Sequence, residues 1–309
     1  MIGAAIVLGS TAAAQGAMAG PTPSAIVSVA CNTPALMSAI SDASSGQKLQ
    51  LAFGCTYVLT APLPEINTNL TIVGFGASLE RSDANDTPDF TILTVGSGDL
   101  NLIEVNFYNG GEGFDSDDDG YDSAGAIVND GGNVSVLGGT FEGNASDEYG
   151  GAIYNESGTL ALNSTYFGYN GAQLGGAIYS EDTMTMRSSH FFDNEAQWGG
   201  AIYNSDTATV IGTTFTQDGA EFGGALYSDD QATLSSVTIQ DNHADLGGGI
   251  YNDDDLTVAS SNIKGNFADD DGGGGIFNDD ETVTLTRTNV TGNEPENCEP
   301  LNTIPGCSD

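Results

Sequence analysis

One phrase, Gly-Gly-Ala-Ile-Tyr-Asn, returns along the chain with small variations. Its apolar position falls at Ile127, Ile153, Ile178, Ile202, Leu226, Ile250 and Ile276, at gaps of 26, 25, 24, 24, 24 and 26 residues. A repeat of this length is one structural unit that cannot bury its own apolar face, so copies must stack into a shared core. The 309 residues are therefore expected to form one elongated domain rather than two compact ones.

Each copy carries three short apolar runs separated by turn residues, such as Ala201–Asn204, Thr207–Val210 and Thr213–Phe215. Short runs with period-two alternation are strands. Three strands in about 24 residues predict an all-β chain, a right-handed parallel β-helix of the pectin-lyase-like kind, with about nine or ten coils. Equivalent residues of neighbouring coils then stack about 4.8 Å apart.

Alternation separates inside from outside. In the second strand Leu162, Met186, Val210, Leu234, Val258 and Leu285 form one inward column. Leu160, Met184, Ala208, Ala232, Leu256 and Val283 form another, and the residues between them, from Ala161 to Thr284, face solvent. The third strand points Phe141, Phe167, Phe191, Phe215, Ile239, Ile263 and Val290 inward. Three residues later comes a column of Asn144, Asn170, Asn194, Asp218, Asn242, Asn266 and Asn293. Stacked Asn amides satisfy one another, and Asn suits turn backbone.

The ends of such a rod need cover. Residues 34–43 place Leu36, Met37 and Ile40 at helical spacing and predict a short capping helix. The expected division is a signal peptide at 1–19, an N-terminal cap at 20–48, the β-helix at 49–293, and a C-terminal cap at 294–309. The leader reading rests on an apolar, uncharged run ending in Ala17-Met18-Ala19, although no Lys or Arg precedes it. No later segment reaches the length of a membrane span.

Four cysteines fit an exported protein. Of three possible pairings, a rod leaves only Cys31–Cys55 and Cys298–Cys307 within reach. Charge narrows the partners. Forty-three carboxylates against five Lys and Arg give a net charge of -38. Nucleic acid is excluded, since binding it requires a row of cations, and polyanionic substrates are repelled. Calcium, cationic surfaces, neutral glycans and proteins remain as partners.

The paired motifs Gly-Gly-Ala-Ile at 150–153, 175–178 and 199–202 and Phe-x-x-Asn at 141–144, 167–170 and 191–194 resemble the repeats of polymorphic outer-membrane proteins. Cys31 with its helix, Cys55, and the ending from Asn297-Cys298 to Pro305-Gly306-Cys307 resemble secreted bacterial right-handed parallel β-helix proteins. The resemblance implies the fold, and adhesion as one role among such proteins. No segment after Asn293 resembles a membrane β-barrel, where the chain departs from the outer-membrane members.

Two columns and one loop are candidate sites. Tyr154, Tyr179, Tyr203, Tyr227 and Tyr251 follow the inward Ile column and should point outward, as a flat strip suited to sugar rings or a protein partner. Carboxylate turns follow them, at Asp130, Glu156, Glu181-Asp182, Asp206, Asp229-Asp230, Asp253 to Asp255 and Asp279-Asp280-Glu281. Like charges at that spacing repel by about 0.9 kcal/mol per pair in water, so cations or salt would relieve them. Asp115, Asp117 and Asp119, with Gly120 and then Asp122, have the alternation of a calcium loop, but Ala126 stands where an EF-hand has its closing Glu.

Catalytic groups are sparse. Arg187 and His190 lie on an acidic surface, and carboxylate pairs occur by chance in so acidic a chain. The expected function is a secreted, non-catalytic β-helix acting in surface adhesion or extracellular structure, binding glycans or calcium. The alternative is a carbohydrate-active enzyme, a lyase or glycoside hydrolase, on a neutral polysaccharide; pectin-active enzymes share the fold class.

Overall fold

The computed structural model describes residues 26–111, 124–269, 272–279, 282–301 and 303–307. The leader at 1–19 and the loop holding Asp115, Asp117, Asp119 and Asp122 lie outside the described residues.

The chain winds as a parallel β-solenoid of about 11 turns, slightly more than the nine or ten expected. The extra winding comes from the N-terminal end. Ile26–Ser28 pairs with Gln47–Gln50, and that strand pairs with the start of Leu70–Arg81, so the rod begins inside the segment expected to be a cap. Leu70–Arg81 is a single strand of 12 residues. It stays paired on both sides of a bend at Gly74-Phe75-Gly76, where Phe75 and Gly76 take left-handed φ of 50° and 76°.

The capping helix spans Thr33–Ser41. The Asn32 side chain accepts the Ala35 N–H at 2.9 Å, and Pro34 occupies the first turn, where its missing N–H is not needed. Leu36 and Ile40 are buried against the first coils. Disulfides Cys31–Cys55 and Cys298–Cys307 close the two ends.

The columns stack in register. Ile153, Ile178, Ile202, Leu226, Ile250 and Ile276 pair coil to coil and are buried. Five phenylalanines, Phe107, Phe141, Phe167, Phe191 and Phe215, stack with ring centroids 4.8–4.9 Å apart. Each contributes about 1.5–3 kcal/mol by leaving water. The Gly-Gly pair is backbone geometry. Gly175 has φ +65, and a Cβ there would sit 2.0 Å from the Ile178 carbonyl oxygen. A Cβ on Gly176 would sit 2.1 Å from the Gly200 oxygen of the next coil.

The Asn column is a continuous ladder inside the turn. Asn170 Nδ2 donates to Asn194 Oδ1 at 2.9 Å and to the Phe141 carbonyl at 3.0 Å, while its own backbone N–H donates to the same Asn194 oxygen at 3.1 Å. The pattern repeats at Asn144, Asn194, Asn242, Asn266 and Asn293, and the last rung bonds Asn297 in the C-terminal cap. A second ladder follows the tyrosines: Asn129 donates to Asn155, Asn155 to Ser180, Asn204 to Ser228 and Asn252 to Asn278.

Candidate functional site

The tyrosine strip points away from the Ile core, but it is not an open platform. Tyr154, Tyr179 and Tyr251 are 6–8% exposed, and Tyr203 and Tyr227 are half-buried. The rings stack on one another, with Tyr203–Tyr227 centroids 4.7 Å apart and Tyr227–Tyr251 4.9 Å apart. They are also covered. The residue before each Gly-Gly, namely Tyr149, Leu174, Trp198, Phe222 and Leu246, forms its own parallel ladder. Tyr149 stacks at 4.9 Å from Tyr154 and 5.0 Å from Tyr179, and Phe222 meets Tyr251 edge-on at 5.6 Å. The left-handed first Gly turns the chain sharply enough to fold this residue over the strip. A large apolar residue before five successive Gly-Gly pairs was the available signal for the second core.

The polar tips of the strip are engaged as well. Tyr154 Oη donates to Glu181 at 3.0 Å, and Tyr251 Oη donates to Asp279 at 3.2 Å, each acceptor lying on the next coil. Burial and these carboxylates raise every hydroxyl of the strip above the ordinary tyrosine range, Tyr227 to about 12. The phenols are donors throughout the physiological range.

The acidic edge has local work too. Asp182 accepts the backbone N–H groups of Thr183 at 2.6 Å and Gly158 at 3.0 Å, which hold its carboxyl below the usual range. Asp230 and Asp254 accept the N–H of the following residue at 2.6 and 2.7 Å. These carboxylates close turns. Glu156 is raised by partial burial and by Asp130 and Glu181. Among the described residues no three His, Cys, Asp or Glu side chains converge as a metal cluster.

A different aromatic group reaches the surface through one exposed ring, Tyr169, and three half-buried ones, Tyr166, His190 and Phe192. It lies on the outer face of the third strands, where the column Thr140, Tyr166, His190, Thr214, Thr238, Asn262 and Asn289 runs in register. Two rings interrupt that polar column: Tyr166 and His190 stack with centroids 5.7 Å apart. Tyr166 lies over Gly168, whose missing side chain leaves room for the ring. Beside them Phe192 meets Tyr169 edge-on at 5.5 Å. Tyr169 is 52% exposed and stands on left-handed backbone at φ +56, which lifts it off the sheet. Tyr169, Asp193 and Glu195 wall a hollow of about 310 Å³ floored by Ala145, Asn170 and Gly171. Partial burial keeps His190 below the usual histidine range, so it is a neutral ring at neutral pH. Arg187, expected to be near it, is exposed at the end of the adjoining strand Met184–Arg187. The sequence signal for this face was a break in a column: two rings where the neighbouring coils have Thr.

Residues 138–156 match the family model described as the Chlamydia polymorphic membrane protein (Chlamydia_PMP) repeat. A search among curated proteins finds no match. Among solved structures, the crystal structure of alginate lyase from Paenibacillus sp. str. FPU-7 covers 85% of this chain and 99% of its own, at 12% identity and a TM-score of 0.34. A likeness that distant carries no argument about activity. The repeat and the two disulfides are compatible with an extracellular or cell-surface protein. No helix among the described residues is long and apolar enough to cross a membrane. The chain is a parallel β-helix repeat protein whose repeats resemble those of the polymorphic membrane proteins.

Proposed function

We propose that this protein is an exported, non-catalytic β-helix rod that acts at a cell surface or in extracellular matrix by binding a glycan. The observation that carries the reading is the exposed Tyr169 ring with the half-buried rings of Tyr166, His190 and Phe192, beside the carboxylate-lined hollow. Aromatic faces stack on sugar rings, and Asp193 and Glu195 accept hydrogen bonds from sugar hydroxyls. The net charge of -38 directs the choice to neutral or cationic glycans. The tyrosine strip, the first candidate for this role, is better assigned to the second core, because its rings are buried or half-buried under the covering ladder and the hydroxyls of Tyr154 and Tyr251 are engaged.

The test is a glycan array with the purified protein, followed by a product assay on each glycan bound. Binding without product, lost in a Y166A/Y169A/F192A variant that keeps its melting temperature, supports the reading. Product release abolished by a single Asp→Asn change would instead establish a carbohydrate-active enzyme. Calcium at Asp115, Asp117, Asp119 and Asp122 belongs to the same proposal, because alternating carboxylates before a Gly suit an oxygen-ligated ion. Calorimetric titration with calcium, silenced by D117N/D119N, tests it.

A further inference from the structure

The Asn ladder has one irregular rung. At Asp218 the sequence places an acid where every other rung from Asn144 to Asn293 has an amide. The side chain is 0% exposed. Its Oδ1 takes the ladder position, accepting the Asn194 backbone N–H at 3.0 Å and Asn194 Nδ2 at 2.8 Å. Its Oδ2 therefore occupies the place from which the other rungs donate, and it has no hydrogen-bond partner.

What the other rungs donate to defines the problem. Each Nδ2 reaches a backbone carbonyl of the preceding coil: Phe107 from Asn144, Phe141 from Asn170, Phe167 from Asn194, Phe215 from Asn242. Most rungs also donate to the next rung's Oδ1. In that series the acceptors belonging to Asp218 are the Phe191 carbonyl and Asn242 Oδ1. Asn242 Oδ1 already accepts the Asp218 backbone N–H at 2.9 Å, so it is turned toward this rung. An ionised Oδ2 would bring a buried negative charge beside two acceptors, and the donors that reach the carboxyl, from Asn194 and the Thr216 backbone, do not offset its burial.

We infer that Asp218 folds as the neutral acid, its carboxyl proton replacing the missing amide hydrogen, and that this makes the middle of the rod a proton-dependent joint. Burial is the main cause that favours the neutral form, and these titratable and charged groups lie on the coils around it. Asp193 and Glu195 lie on the preceding coil and Tyr166 one coil further back; Asp241 and His243 lie on the following coil, with the His243 ring over Gly219 and Lys264 a coil beyond. Burial, opposed by the hydrogen bonds from Asn194 and the Thr216 backbone and reinforced by the Asp193 charge, raises the carboxyl from the ordinary 3.8 to about 8.

The sign of the linkage follows from that direction. Below about pH 4 the carboxyl is protonated in both the folded and unfolded chain, and it costs nothing. Between about pH 4 and pH 8 the folded chain holds a proton that the unfolded chain has released. Stability therefore falls as pH rises through this window, by about tenfold in the folding equilibrium per pH unit. Above it the loss is constant.

The experiment compares full-length wild type with D218N, which restores the regular rung. The other carboxylates titrate in both proteins, so the difference between their unfolding curves is the readout. D218N is expected to equal wild type near pH 4 and to gain on it progressively up to pH 8. A protonated-carboxyl stretch, present in the infrared spectrum of wild type at pH 6 and absent in D218N, reports the proton directly. Amide exchange at Asn194, Asp218 and Asn242 is expected to be faster above pH 8 in wild type than in D218N. D218A, which removes both oxygens, is expected to be less stable than wild type at pH 5. Parallel stability curves for wild type and D218N, no protonated-carboxyl signal, or a D218A as stable as wild type would each overturn the inference.

Discussion

Two aromatic groups on this rod differ in the one respect that matters for function. The tyrosines from Tyr154 to Tyr251 recur once per coil and pack under a second ladder, and the hydroxyls of Tyr154 and Tyr251 are tied to acids. The rings Tyr166, Tyr169, His190 and Phe192 occur in two adjacent coils only, and they face solvent or are half-buried. In a solenoid a residue that recurs in every coil serves the contact every coil must make. A residue that breaks its column is free of that duty. Asp218 breaks the Asn column in the same sense, although it lies inside the turn. The repeat thus explains the fold, and its interruptions are where the chain can differ from its own neighbours.

The sharpest way to break this comparison uses two adjacent residues. Phe191 points inward, with stacking partners at 4.8 and 4.9 Å, and Phe192 points outward from the same strand. F191A is expected to destabilise by about 3–5 kcal/mol, because it removes a ring from a packed column and leaves a cavity. F192A is expected to change stability by less than about 1 kcal/mol and to abolish glycan binding. Urea unfolding and a binding isotherm on both variants check the pair. If F192A destabilises as much as F191A, the outer face is packing rather than a site.

A smaller effect separates the two kinds of tyrosine. Y154F removes a hydroxyl that donates to Glu181, an exposed carboxylate that water resolvates, so the expected loss is about 1 kcal/mol with glycan binding unchanged. Y169A removes a half-exposed ring, so stability is expected to hold and binding to weaken at least tenfold. A Y154F variant that loses binding would return the strip to the list of sites.

Much of this organisation was legible in residue order. The 24-residue period, the Ile, Leu and Phe columns and the Asn ladder follow from alternation and turn chemistry, since each column is read by adding a constant to a residue number. The covering ladder of Tyr149, Leu174, Trp198, Phe222 and Leu246 was not read, because its members differ in type and lie outside the three runs of alternation. Outward direction means exposure only where no further layer of chain lies outside the sheet. The N-terminal coils were harder for another reason. They lack the repeat phrase, and one strand stays paired on both sides of the Gly74-Phe75-Gly76 bend, where the glycines would suggest a turn.

The smallest expected effect concerns the acidic edge, and it runs opposite in sign to that of Asp218. The Asp182 carboxylate accepts two backbone N–H groups, one from its own turn and one from Gly158 on the preceding coil, so it couples two coils. Those donors favour the charged form and hold the Asp182 carboxyl below the usual carboxylate range. A group with a lowered folded pKa contributes stability above its unfolded value, and that contribution disappears as pH falls through the folded value. The side chain is partly exposed, so water screens the gain and the effect is a fraction of that for a buried pair. D182N is therefore expected to be slightly less stable than wild type at pH 7, with the difference closing on acidification below pH 4. D218N is expected to be more stable than wild type at pH 7, with its difference closing in the same acid range. The two variants measured side by side share every other carboxylate, so opposite displacements at pH 7 that converge in acid would separate a turn carboxylate from a protonated rung. Displacements of the same sign would mean that bulk charge, not position in the coil, governs both.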